Sequence, residues 1–239
     1  MSNTFDDKVV AVTGGAGNLG RAVAHAFARR GAHIALLDLS EPAIQSVIDE
    51  QLPSGTETRA FAVDLLKPES VIATLQAVID HFGRIDILAN IAGGFTMGPT
   101  IQDTEDRDWD FMMNLNARSV LYTCRAALPN MLENGWGRII NVSARAALQP
   151  KGRMGPYCAS KAAVKTLTES IAAETKFDGI TVNCILPGTI DTPQNREAMP
   201  DADHSQWVPP ESLADVVLFL ASDAARCVTG AAIPIYGKS

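Results

Sequence analysis

The side chains of this sequence best suited to moving a proton are Tyr157 and Lys161, four positions apart near the end of the stretch from Gly137 to Lys161. The Ala-rich run from Pro156 to Lys176 predicts a helix, and residues four apart on a helix share one face. An ammonium can then stand beside a phenol. A free phenol ionises at about pH 10, so proton exchange near neutrality calls for a downward shift of about two units, each worth about 1.4 kcal/mol. A fixed cation nearby favours phenolate and supplies such a shift. The same spacing also fits a tyrosine at a helix start followed by a solvated lysine, and the rest of the chain decides between the two.

Holding such a pair requires a frame. Short β-rich apolar runs alternate with helical patterns, the signature of βαβ units around a parallel sheet. Strands are predicted at Val9–Thr13, Ile34–Asp38, Arg59–Val63, Ile85–Asn90, Arg138–Val142, Thr181–Leu186 and Ile233–Tyr236. Helices are predicted at Leu19–Arg30, Pro42–Glu50, Pro68–Phe82, Arg107–Leu132, Pro156–Lys176 and Pro210–Ala221. Right-handed crossovers make this one α/β domain over residues 1–239: a doubly wound Rossmann fold, its seven-stranded parallel sheet covered by helices on both faces. Pro234 inside the last run predicts an edge strand, where a missing backbone donor is tolerated.

The first strand-to-helix turn runs Thr13-Gly14-Gly15-Ala16-Gly17-Asn18-Leu19-Gly20. Gly15, Gly17 and Gly20 have the spacing that lets backbone turn tightly and approach a pyrophosphate at a helix N-terminus. Asp38, 18 residues after Gly20, closes the second strand. A carboxylate there accepts from ribose hydroxyls and repels a 2′-phosphate, which predicts NAD with NADH preferred over NADPH. The plainer alternative is a glycine turn with Asp38 capping a loop.

Composition narrows the partners. The 239 residues are 46% hydrophobic and 20% charged, which is globular, and no apolar run is long enough to span a membrane. A net charge of −7 and a pI near 5.1 argue against nucleic-acid or anionic-membrane surfaces and for a small-molecule substrate. The opening MSNTFDDK lacks a basic-then-apolar signal, which predicts a cytoplasmic protein. Cys124, Cys158, Cys184 and Cys227 have no CxxC spacing, so reduced core thiols are expected. Neither they nor the four histidines have ligand spacing, and no metal is expected.

With these residues together, the chain resembles the short-chain dehydrogenase/reductase family along nearly its whole length. Thr13 and Gly14 with the glycine turn, including Asn18 and Leu19, look like that family's cofactor loop, and Asp64 with Leu65 like its adenine contact. Asn90-Ile91-Ala92-Gly93 is similar to its Asn-Asn-Ala-Gly segment with the second Asn replaced. Asn116, seven residues after Trp109, falls where the family places a water-holding asparagine. Pro187-Gly188, Ile190 and Thr192 look like its nicotinamide-contacting loop, and Thr229-Gly230 like the segment before its last strand. The resemblance implies that Tyr157 is general acid/base, that Lys161 lowers its pKa and binds the nicotinamide ribose, and that Asn116 supports a proton relay. Asn90 and Asn116 also suit a purely structural role in satisfying buried backbone groups.

Two departures stand out. Asn18 occupies a position where the family commonly has glycine, and Ala144 occupies that of its substrate-orienting serine, 13 residues before Tyr157. Ser143 is one residue early, and in extended backbone a one-residue shift reverses the side chain. Losing a donor to a developing oxyanion costs roughly 10²- to 10³-fold in rate. Either the site is impaired, another group replaces the serine, or the substrate needs none. Ala144–Leu148, Gly155-Pro156-Tyr157, Ala92-Gly93-Gly94 and the loop Asp191–Glu211 locally resemble dihydropteridine reductases, which dispense with the serine. That implies a dihydropterin-like conjugated acceptor. Alternatives are a carbonyl or alcohol oxidoreductase and a non-catalytic NAD-binding protein.

The loop Thr189–Trp207 follows the sixth strand, where ligands bind in this architecture, and its Trp207 and Met199 are either stacking surfaces for a flat substrate or packing for the loop itself. Arg145, Lys151 and Arg153 are either an anion-binding cluster or solvated charges. Apolar residues on more than one side of the fourth and fifth predicted helices, among them Phe111, Leu121, Leu128 and Leu167, predict subunit packing as a homodimer or homotetramer.

Overall fold

The structure is a computed structural model describing residues 5–238; the first four residues of the MSNTFDDK segment lie outside the described residues. The strands are β1 (Val9–Thr13), β2 (His33–Asp38), β3 (Thr58–Ala62), β4 (Ile87–Asn90), β5 (Gly137–Val142), β6 (Ile180–Pro187) and β7 (Ala232–Ile235). They form one seven-stranded parallel sheet in the order β3-β2-β1-β4-β5-β6-β7. β7 is an edge, as Pro234 requires. Residues of β1, β5 and β6 are buried at every position, so both faces of the sheet are covered there, and the buried Asn141 and Asn183 are hydrogen-bonded.

The helices are α1 (Asn18–Ala28), α2 (Glu41–Gln51), α3 (Pro68–Phe82), α4 (Asp106–Met112), α5 (Ser119–Asn134), α6 (Gly155–Thr175), α7 (Pro193–Ala198) and α8 (Pro210–Ala221). On one face, Val23 and Phe27 of α1, Ile44 of α2 and Val217 of α8 pack on Val10, Val12, Ile34 and Ile185. On the other, Leu75 of α3, Val120 of α5 and Val164 of α6 pack on Ala11, Leu37, Leu88 and Val182. Each large side chain so buried contributes about 1.5–3 kcal/mol. The chain leaves β1 towards β3 and returns to β4 on its other side, so a crevice opens where the order reverses. Register brings Thr13 opposite Asn90, and Asn90 opposite Asn141, at its floor.

The sequence predicts one helix from Arg107 to Leu132, but α4 and α5 are separated by a π-helical turn at Met113–Arg118. Such a turn fits an extra residue into the helix and is common at functional sites. Here it carries the fully buried Asn116. Below the crevice floor runs a chain of buried hydrogen bonds. Thr123 Oγ1 donates to Asn90 Oδ1 at 2.8 Å, Asn90 Nδ2 to Asn141 Oδ1 at 2.9 Å, and Asn141 Nδ2 to Thr168 Oγ1 at 2.9 Å. Sheet and helices α5 and α6 are thereby locked in register, because a broken link leaves a buried polar group unpaired. Asn90→Ala should therefore cost about 1–3 kcal/mol of stability, read as a lower denaturant midpoint. An unchanged midpoint would contradict the role given to this chain of bonds.

Candidate active site

Two short hydrogen bonds fix where β5 meets α6. Lys161, 5% exposed, donates from Nζ to the carbonyl of Val142 at 2.9 Å, and the Ser143 hydroxyl donates to the carbonyl of Lys161 at 2.7 Å. Ser143 is thus committed to the helix backbone. Ala144 follows in extended conformation, φ −162° and ψ 160°, and offers only a methyl on the opposite face. Neither side chain is thereby left as a donor into the crevice.

α6 begins with Gly155-Pro156, proline being suited to the first turn where a backbone donor is unused. Tyr157 follows, one turn before Lys161, with its ring edge-to-face against Phe95 at a centroid distance of 5.0 Å and an interplanar angle of 86°. Ser160 donates back to the Tyr157 carbonyl at 2.8 Å. Asn116 Oδ1 accepts from the Gly94 amide at 2.9 Å, while its Nδ2 donates to the Gly94 carbonyl at 3.1 Å and to Ser160 Oγ at 3.0 Å. A Cβ on Gly93 would stand 2.7 Å from Asn116 Oδ1 and 3.0 Å from Lys161 Nζ, so the close approach of these groups requires glycine. Tyr157, Lys161, Asn116 and Gly93 are therefore brought together. The sequence had no signal for Phe95 beyond its place after Gly94, nor for the Val142 carbonyl.

The electrostatics differ from the sequence expectation. Burial pushes the Tyr157 phenol up to about 12, with the neighbouring Cys158 adding to the shift, whereas the sequence predicts a phenol drawn down by Lys161. Burial also pulls the Lys161 ammonium down to about 8. Both groups lie where their charged forms are poorly solvated, and this desolvation outweighs their proximity. An ammonium has three donors, and among the described residues Lys161 uses one of them on protein, leaving two for a ligand.

The glycine turn lies across the crevice. Thr13 Oγ1 accepts from the amides of Ile91 and Ala92 at 3.1 and 3.2 Å, tying the ends of β1 and β4. Gly14, at φ 67°, packs on Ala92, and a side chain on Gly20 would strike the Gly14 carbonyl. Gly17 is open apart from that same carbonyl, and Gly15 lies on Leu36. Asp38 accepts from the amides of Ala16 at 3.0 Å and Leu39 at 2.7 Å, which points its carboxylate at the turn. The Leu19 side chain belongs to the core, so only its backbone faces the turn. Asp64, held below the usual carboxylate range by the Leu66 amide and then by Lys67, stands at the end of β3 beside the half-buried Leu65.

Beyond β6, Pro187 and Gly188 run along β7, Gly188 donating to the Ile235 carbonyl at 2.9 Å. Ile190 bridges to Val208, and Thr192 caps α7 by accepting from the Asn195 amide at 3.2 Å. The Asn90 amide is spent beneath the sheet, the structural alternative for that residue. Trp207 does not present a stacking surface: it is buried against its own loop, 4.4 Å from the His204 ring, whereas Met199 is exposed. Arg145 lies over the Tyr236 ring and donates to Gln149 at 2.7 Å, while Lys151 and Arg153 are exposed. Cys227 is exposed where a core thiol was expected; the other three cysteines are buried.

Residues 8–203 match the family described as short chain dehydrogenase. Dehydrogenase/reductase SDR family member 6 of Rattus norvegicus is 37% identical over 98% of this chain and 97% of its own. 2,5-dichloro-2,5-cyclohexadiene-1,4-diol dehydrogenase LinX of Sphingobium indicum is 32% identical over 99% and 98%. Among solved structures, NAD+-bound xylitol dehydrogenase superposes with a TM-score of 0.89 at 29% identity over 98% of this chain and 99% of that one. Levodione reductase does so at 0.90 and 28% over 98% and 97%. The chain belongs to the short chain dehydrogenase family and is an oxidoreductase.

The burial of Lys161 can be read directly. Among 13C-labelled lysine side chains, the Cε signal absent from Lys161→Met should titrate near pH 8, against 10.5 for an ordinary lysine. A midpoint at or above the ordinary value would overturn the electrostatic description.

Proposed function

We propose that this short chain dehydrogenase uses NAD(H), with Tyr157 as general acid/base, Lys161 as its ribose-binding partner and Asn116 as the support that keeps the two in register. The observation that carries the reading is the convergence of Gly93, Asn116 and Lys161 one helical turn from Tyr157, with two ammonium donors unspent. When bound, the nicotinamide supplies or accepts the hydride. Gly17, Asp38, Asp64, Lys161 and the segment Pro187–Thr192 would hold it, and the similar xylitol dehydrogenase structure is NAD+-bound. Asp38, aimed at the glycine turn, supports NADH over NADPH, because a carboxylate accepts from a ribose 2′-hydroxyl and repels a 2′-phosphate.

A phenol near 12 is protonated at neutral pH, so Tyr157 carries the proton that reduction of an acceptor would consume. Ala144 supplies no second donor. A conjugated acceptor such as a dihydropterin, which takes one proton beside the hydride, fits that site, and the half-exposed Phe95 ring beside Tyr157 offers it a flat apolar neighbour. The second reading is oxidoreduction of simple alcohols and carbonyls, favoured by the substrates in the names of xylitol dehydrogenase and LinX. Exposed Trp109, Phe111 and Leu121 about α4 and α5 support a homo-oligomer. Among the described residues no helix is long and apolar enough to cross a membrane.

The test is NADH and NADPH oxidation against quinonoid dihydropterin, simple ketones and 3-oxoacyl thioesters. NADH should be preferred, Asp38→Arg should reverse the preference, and Tyr157→Phe should lose at least about 10²-fold in turnover while NADH binding changes little. Preferred NADPH, or turnover retained in Tyr157→Phe, would contradict the proposal. Ala144→Ser decides the acceptor: a gain of about 10²-fold on ketones identifies the carbonyl reading, and no gain with rapid dihydropterin turnover identifies the conjugated one.

A further inference from the structure

The loop between β6 and α8 is anchored at both ends and projects between them. At its base the Asp191 amide donates to the Val208 carbonyl at 2.9 Å, and the Val208 amide donates to the Thr189 carbonyl at 2.9 Å. Trp207 is buried there. Between these anchors stands α7, and not one of its residues is buried. Hydrophobic packing therefore contributes almost nothing to where α7 sits, and its position depends on polar ties.

Most of those ties are internal. Asn195 Nδ2 donates to the Ile190 carbonyl at 2.8 Å, and Arg196 grips the Asp191 carboxylate with both Nε and Nη2, at 2.5 and 2.8 Å. These bonds join α7 to the residue or two before it, making residues 190–196 one stiff unit. Ile190 packs on the core and pairs with Val208, so the base of this unit is fixed and α7 projects from it. Between α7, α1 and α8 lies an open groove of about 1230 Å³, lined by Arg21, His25, Asp191, Arg196 and Asp215 among others, so close packing is absent on that side too.

Among the described residues, one side-chain hydrogen bond crosses from α7 to the rest of the chain: Asn18 Nδ2 donates to Gln194 Oε1 at 2.8 Å. Asn18 is the first residue of α1 and closes the glycine turn, so the bond joins the segment before α8 to the turn at which a pyrophosphate would lie. It belongs to a position that departs from the common glycine of the family. Glycine at residue 18 could make no such bond.

We propose that Asn18 is a positioning residue whose amide latches α7 over the glycine turn, so that this one side chain sets how readily the substrate-side loop opens to admit and release the cofactor. The role in cofactor exchange rests on the NAD(H) reading above; the latch itself does not. Opening means breaking one exposed hydrogen bond and tilting α7 about its base at Ile190 and Asp191, and no residue of α7 leaves the core as it does so. Such an element belongs to the low-stability end of a structure, where ligand lids are found.

Hydrogen exchange in the ligand-free protein tests the latch without any turnover. Asn18→Gly and Gln194→Ala should each speed amide exchange across residues 192–203 by roughly three- to tenfold, the worth of one such bond, while α1 and β6 exchange as before. The double variant should be no faster than either single one, because both remove the same bond. Exchanging the two residues, Asn18→Gln with Gln194→Asn, should restore slow exchange. Unchanged exchange over 192–203 in both single variants, or effects that add, would overturn the latch. In stopped-flow NADH release, Asn18→Gly should raise the dissociation rate by a similar factor. An unchanged rate beside faster exchange would overturn the role in cofactor exchange, while failure of the wild-type protein to bind NADH would sink the NAD(H) reading and leave the exchange result standing.

Discussion

The buried ammonium of Lys161 is the constraint on which the site depends. A lysine with its charge removed from water is costly: with the folded value near 8 against 10.5, holding the proton costs about 3 kcal/mol at neutral pH. The folded value is the depressed one, so this cost stands in full below pH 8 and fades as the pH rises towards 10.5. Much of the surrounding structure limits that cost or uses what it creates. The Val142 carbonyl accepts one hydrogen bond from the ammonium, Ser143 pins the helix backbone at Lys161, and Gly93 leaves the room a side chain would take. Such an arrangement weakens the fold locally and is characteristic of a functional site.

The same burial explains the tyrosine. A phenol one turn from a cation looks, from spacing alone, like an acid made stronger, yet in the folded protein desolvation prevails and the phenol is a weaker acid than in water. The pair is therefore a protonated phenol held one helical turn from a cation with unspent donors. The two asparagines divide their labour accordingly. Asn116 spans the gap between the Gly94 backbone and Ser160, holding the crevice wall to α6, while Asn90 secures the sheet beneath.

Much of the fold was legible because both its signals are local. Continuous apolar strands and amphipathic helices gave all seven strands to within two residues, and Pro234 marked the edge correctly. The one-turn spacing of Tyr157 and Lys161 and the place of Asp38 at the end of β2 were legible in the sequence, whereas the commitment of Ser143 to the Lys161 carbonyl was not. What escaped depends on contacts between distant residues. The π turn around Asn116 is enforced by Gly94 and Ser160, the contact of Phe95 with Tyr157 by a loop crossing the start of α6, and α7 is too short to leave a periodic pattern. The direction of the tyrosine shift escaped for the same reason, since burial is a property of the whole fold.

A paired measurement on Lys161→Met tests most directly whether this side chain is kept for chemistry at the expense of stability. Replacing a buried ammonium with an apolar chain of similar length removes the desolvation cost and leaves one carbonyl, that of Val142, to be satisfied. With about 3 kcal/mol recovered and about 1–3 lost to that carbonyl, the variant should match the wild type or exceed it by up to about 2 kcal/mol in stability at neutral pH. It should also lose NADH-dependent turnover. A variant less stable than the wild type, with turnover retained, would contradict the account.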